Sequence, residues 1–427
     1  MAPAIRASSQ AHRNMTNTQT ISRAESRRGT LAPAIAFALL AVMGLVALVL
    51  DSLWLDTAQA ELQVAAEAAA LAAGVQLASD DLLRGDDPDA TIEQRLALAR
   101  EAARRVALEN RIAGRPVQLD ASPEGDVRFG KLIRREETGE AVFIETRHDV
   151  SSIAIRAEHS RSRSNPVAIW LLKVTSQPGG DVAAIAEATL DNHLVGLEAL
   201  NGIPVPALPL AVLKHDPEGK VENWQTQIVQ RKGLDRFSVD ERTGEVAPSS
   251  SGDGIPEITV RSAPHRGDTT RANIFLCLIR PGLTESDLKQ QFRLGFTRTD
   301  LPRPLRFDQG AVQLETTPTI TGCILTELQE LTGQCRIVFL YDEHRDDDGI
   351  GMVRIVAPVA ARILKVQIHD DGSCELVLQP GVMTTRTALT TSPSAPPGNP
   401  STDPGTSPDP NNDSVRNPYI YRLLLTN

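Results

Sequence analysis

The sequence predicts an α+β chain in which one N-terminal membrane helix runs on into a helical stalk and mostly β domains follow. Two observations carry this. Residues 29–50 hold no charged side chain, and the chain from Asp51 to Ala73 contains neither Gly nor Pro. Beyond Pro116 the helical apolar period is lost, and short strand-like runs separated by turn residues replace it. The 427 residues leave room for two or three folded units. A net charge of −10, from 44 Lys and Arg against 54 Asp and Glu, excludes a general nucleic-acid binder, whose footprint is basic. Nine Phe, three Tyr and three Trp are too few for an aromatic stacking platform.

The uncharged run GTLAPAIAFALLAVMGLVALVL lies between Arg27-Arg28 and Asp51. At about 1.5 Å per residue it is long enough to cross a bilayer. Five Arg and one Glu fall within the first 50 residues, which places residues 1–28 in the cytoplasm and everything after Asp51 outside it. The expected location is therefore the inner membrane, with a single span. Ala58-Gln59-Ala60 fits the small-x-small pattern of a leader cleavage site, but it lies well beyond a run longer than a signal core, so retention as an anchor is expected. Pro33 falls in the first turn or so, where its missing N–H breaks no helical bond.

The run Asp51 to Ala73 is strongly helical, with seven Ala among residues 65–73. Arg28-Gly29, the apolar span, Asp51 and then the string LQVAAEAAALAA from Leu62 to Ala73 together resemble the N-terminal segment of TadE/TadG-like proteins of the Flp/Tad pilus system. The resemblance covers residues 27–77; Glu67 stands where that family more often has Asp. It implies a bacterial, non-enzymatic, membrane-anchored component of a pilus or surface-assembly apparatus. Its partners would be the lipid bilayer and pilus or secretion-system proteins. Counting from Gly29, Ala34 occupies the place where prepilin-type processing uses Glu, so cutting by that peptidase is not expected. Physically, the small residues give a narrow helix face that lets a neighbour approach closely. Leu62, Ala66, Ala69 and Ala73 are the expected helix-packing residues, and self-association along them is one expectation.

The stalk is expected to extend over 51–113, its second helix running from Thr91 to Ala113 and ending at Gly114, with Arg95, Arg100, Glu101, Arg104, Arg105 and Glu109 on a solvated face. A small β-rich domain, 114–209, follows. Its strands are expected at Val127–Ile133, Ala141–Ile144 and Val150–Ala157, the uniformly apolar second one as the buried centre. A second mixed, mostly β domain spans 210–383 after the proline-rich turn Ile203–Pro209. Its expected strands are Ile258–Val260, Ile274–Ile279, Arg336–Tyr341, Val353–Val356, Ile363–Ile368 and Glu375–Leu378, and short helices are expected from Thr284, with Asp287 as a capping partner, and from Thr326. Residues 384–418 read as a disordered linker and 419–427 as a strand-like tail, expected as the last strand of the second domain, the alternative being a strand added to a sheet edge, its own or a partner's.

Chemistry is sparse. Cys277, Cys323, Cys335 and Cys374 all lie in the exported part, where disulfides form, and four cysteines allow three pairings. No C-x-x-C pair, H-E-x-x-H, Walker A or G-x-S-x-G string occurs, so no catalytic residue, metal or cofactor is expected. The acidic stretch Asp342 to Gly349 lacks the spacing of a calcium loop and reads as a solvated hairpin. The competing reading is a membrane-tethered enzyme or ligand receptor whose active unit is about 210–382.

Overall fold

The computed structural model describes residues 31–85, 88–135, 140–169, 179–240, 243–264, 271–320, 324–347, 350–391 and 416–426. It is an α+β chain with one long apolar N-terminal helix and a mostly β remainder.

Helix α1, Leu31–Leu77, is continuous over 47 residues, and α2, Pro88–Glu109, folds back along it. The first sheet is built from β1 (Val127–Arg134), β2 (Ala141–Glu145), β3 (Ser152–His159) and β4 (Val182–Asp191), in the order β4-β3-β1-β2 and antiparallel throughout. Residues 51–113, expected as a stalk, are instead the helical layer of this domain. Ala58, Leu62, Ala65, Ala66, Ala69, Ala70, Ala73 and Leu77 recur at three- and four-residue spacing and close one core with α2, β3 and β4. Alanine suits this seam because its short side chain lets the helix axis come close to the sheet. β2 is the outer edge of the sheet and largely exposed, not its buried centre.

Two more expectations about α2 change. It stops at Glu109, and Gly114, expected to end it, takes φ +82° beside Ala113 at +50° in the two-residue turn of a small hairpin that pairs Arg111–Ile112 with Arg115–Pro116. Arg95 and Arg100, placed by sequence on a solvated face, are buried. Their long aliphatic stems share the helix face of Leu96 and Ala99, which packs toward the sheet.

The second domain begins at β5 (Leu194–Leu197), before residue 210. β6 (Ala207–Leu213), β7 (Ile258–Arg261) and β8 (Ile274–Leu278) follow, then α3 (Glu285–Leu294), β9 (Val312–Thr317) and α4 (Leu325–Glu330). The long hairpin of β10 (Cys335–Asp347) and β11 (Ile350–Ile368) comes next, then β12 (Cys374–Pro380). Strands β11, β9, β8, β6 and β10 pair in that order, and β10 pairs back onto β11, so five strands close a barrel. Closure leaves no edge there. The outer half of β11 runs past the barrel to carry β12 and then β7. At α3, Thr284 Oγ1 accepts from Asp287 N and the Asp287 carboxylate accepts from Thr284 N, the expected capping box.

The stretch 384–418 is not uniformly a linker. β13 (Met383–Thr384) and β14 (Ala388–Thr390) are ordered, β14 pairing with β5; residues 392–415 of that linker lie outside the described residues. The tail strand β15 (Ile420–Leu425) lies antiparallel to β4 and parallel to β13, extending the first sheet. Its side chains alternate between the two cores: Ile420 enters the barrel domain's core, and Tyr421 and Leu423 pack on the helical layer's. Tyr419 stands edge-on to buried Trp224 at 5.8 Å, and its hydroxyl accepts from Trp224 Nε1 at 3.3 Å.

Candidate functional site

The first half of α1 differs from every other helix among the described residues. All eleven side chains larger than alanine from Ile35 to Leu50 are exposed, and all are apolar. A soluble fold hides such a face; here the helix is long and apolar enough to cross a membrane, at about 30 Å from Leu31 to Leu50. Burial sets in over the following turns of the same unbroken helix: Asp51 is buried, Leu53 and Trp54 are still exposed, and Ala58 and Leu62 are core.

Four side chains of α1 brace the joint. Trp54 Nε1 donates to Ala168 O at 3.1 Å, and Leu55 packs against Gly180, where a Cβ would fall 2.5 Å from the leucine methyl. Val167 and Gly180 bond each other through their backbones, which holds together the two segments that meet Trp54 and Leu55. One turn further on, Gln59 Nε2 donates to Ala183 O at 2.5 Å and Gln63 Nε2 to Ile185 O at 3.1 Å. These carbonyls lie on the part of β4 that extends past β15, so the two glutamines cover a sheet edge left open by the shorter neighbour. The exposed apolar half and the buried half of α1 are therefore one rod held by the sheet.

The expected helix-packing residues all lie in the buried half. Leu62, Ala66, Ala69 and Ala73 have almost no exposed surface, and what they pack against belongs to this chain. The stripe expected to receive a second copy is thus taken up internally, because a face of small residues serves close approach to a sheet as well as to another helix. Ala58, in the leader-like string, is buried in the same seam.

Of the four cysteines that could have formed disulfides, two can be placed as unbridged and buried. Cys277 on β8 and Cys374 on β12 are buried free thiols. Two strands separate them in the sheet, roughly 14 Å at the usual strand spacing, beyond the reach of a disulfide. Cys335 lies partly buried at the start of β10, and Cys323 lies outside the described residues. Burial pushes the Cys374 thiol up to about 11 and Cys277 higher still, so neither supplies a thiolate near neutrality.

Inside the barrel, Phe275 stacks on His344 at 4.3 Å and meets Tyr341 edge-on at 5.3 Å. Burial lowers His344 and raises the Tyr341 hydroxyl, so both are held neutral and pack as rings. In the acidic stretch, Asp342 takes a two-point grip from Arg354 at 2.8 Å on each oxygen, and Glu343 pairs with Arg345 at 2.6 Å. The Asp342 and Glu343 carboxylates are thus taken up by arginines, and residues 348–349 lie outside the described residues. Among the described residues no group of three or more His, Cys, Asp or Glu is placed to hold a metal ion. Sequence reasoning missed one feature of chemical interest, the buried Arg100, because a basic residue on an amphipathic helix ordinarily faces water. No protein-family model, curated protein or solved structure matches the chain.

Proposed function

We propose that the chain is a single-pass membrane protein, N-terminus in the cytoplasm and bulk outside it. It would serve as a non-enzymatic component of a Flp/Tad-type pilus or surface-assembly system. The observation that carries the membrane part is the division of α1 into an exposed apolar half of bilayer length and a half that is core. The assembly part rests on the resemblance of residues 27–77 to TadE/TadG-like proteins. In this reading the continuous helix passes orientation from the bilayer to the body. The joint at Trp54, Leu55, Gln59 and Gln63 removes the swivel that a loop would introduce, and the exported β domains present partner surfaces at fixed height. Such coupling suits a scaffold more than a tethered catalyst, for which a flexible linker suffices.

Crosslinking in native membranes followed by pull-down of the full chain tests this. Recovery of pilus or secretion-system proteins is expected; recovery of the chain with none of them overturns the assembly reading.

A further inference from the structure

We propose that the cleft between α2 and the open end of the first sheet is a carboxylate-binding pocket built on Arg100. It is lined by Leu96 and Arg100 from α2, Val127 and Phe129 from β1, and Glu145 and Arg147 at the end of β2, with a volume of about 190 Å³. That is room for a carboxylate with a few carbons attached, below the usual range of about 300–1,000 Å³ for larger ligands.

Arg100 is only 9% exposed, and its Nε has no hydrogen-bond partner. Its Cζ lies 5.0 Å from the centre of the Phe129 ring, so the ring occupies one face of the guanidinium. Nε–H is enclosed, and the Nη donors, which lie in the guanidinium plane, remain for the cleft. A buried cation with unused donors is costly unless an anion completes it.

Two other arginines of this domain set the comparison. Arg163 is met by Asp126 in a two-point fork, 2.6 Å on each oxygen, which is how a guanidinium is satisfied when this fold supplies the acid. Arg95 is also buried, and burial disfavours its charge, with Asp81 and Tyr421 opposing this in part. Among the described residues no acid forms a hydrogen bond or ion pair with Arg100. Glu145, the one acid lining the cleft, bonds Arg128 at 3.1 Å, and Arg147 at the rim turns to Glu93 at 3.6 Å.

A planar carboxylate matches the free edge of the guanidinium, and the apolar walls of Leu96 and Val127 suit the carbons behind it. A cation would be repelled, and a neutral group would leave the charge unmet. The carboxylate comes from a small free acid or from an Asp or Glu side chain of a partner protein. The proposal is independent of the membrane reading.

The test is calorimetric titration of the full chain in detergent with propionate and with acetyl-glutamate amide, using propionamide and acetyl-glutamine amide as controls. Both acids are expected to bind at least tenfold tighter than their amides. Binding of both assigns the site to the carboxylate alone, and saturation by acetyl-glutamate amide only assigns it to a side chain; either supports the proposal. Arg100→Met should abolish binding with the thermal melt retained, and Arg100→Lys should weaken it severalfold. Amides that bind as well as acids, inorganic phosphate binding in preference to either acid, no saturable binding, or unchanged affinity in Arg100→Met would each overturn it. Should the Met variant fail to fold, the acid-against-amide comparison on the unmodified chain decides.

Discussion

Asp80 and Arg362, 282 positions apart, form a buried ion pair that joins the turn between the two long helices to the barrel domain. Arg362 Nη2 and Nε both donate to Asp80 Oδ2, at 2.6 and 3.0 Å, and Oδ1 accepts from Val382 N at 2.6 Å. Arg362 Nη1 reaches Gly333 O at 3.0 Å. The side chains are 4% and 9% exposed, so removing one partner strands the other charge. Asp80→Asn is expected to cost about 3–5 kcal/mol in urea unfolding. The pair itself need not stabilise: Asp80→Leu with Arg362→Met should lie closer to the unmodified protein than either single change.

The α1 seam makes a contrasting pair of predictions. Ala69 has no exposed surface, and Leu at that position drives three extra carbons into filled space, costing about 1–3 kcal/mol. Val64 is on the outward face of the same helix, where replacement by Ala should stay within about 0.5 kcal/mol. Thermal melts of the two variants check this; equal effects would mean that α1 is rotated about its axis, with Ala69 no longer against the sheet.

Acid and base should act on stability through Glu257. Burial holds its carboxyl above the ordinary range even though it accepts from the Arg236 and Phe237 backbones, at 2.7 Å each. A raised folded value means a contribution fully present below the unfolded value of about 4.3 and lost as pH rises through the folded one. Asp253, raised chiefly by burial and less by Asp235, and Glu187, raised by burial, act with the same sign. Glu257→Gln keeps an acceptor for the two N–H groups and removes the titration. It should therefore gain steadily on the unmodified protein as pH rises from about 4.3 towards neutrality, in unfolding measured across that window. Parallel curves would contradict this.

Thiol chemistry gives a simple check on the sheet. With Cys277 and Cys374 buried and their thiols raised, a disulfide-exchange reagent at about pH 8 should leave both unmodified in the folded chain and react with both after unfolding. Rapid reaction of either in the native protein would place its strand elsewhere.

Much of this architecture was legible where the signal is local. The uncharged run, the alanine block, the capping box at Thr284 and the strands that keep a strict alternation, such as Ile153 with Ile155, announce themselves within a few residues. What escaped depends on distant partners. β6 is buried almost throughout and contains Pro209, which reads as a turn; it fits because pairing with β10 shifts register between Ile337 and Phe339, opposite the proline, where no N–H is needed. β2 is apolar yet lies at an edge, because nothing in its own residues says how many neighbours a strand has. Arg100 looked solvated because Phe129, the ring it stacks on, lies in another element. The tail's place beside β4 is set by Tyr419, Ile420 and Leu423 fitting two cores at once, and no local pattern encodes that.

The most direct test of the central claim is the position of the C-terminus relative to the membrane. With the residue after Leu425 replaced, Thr426→Cys, and the buried cysteines left in place, a membrane-impermeant maleimide should label intact spheroplasts before lysis. Labelling that appears only once the cells are opened would contradict a chain anchored by α1 with its body outside.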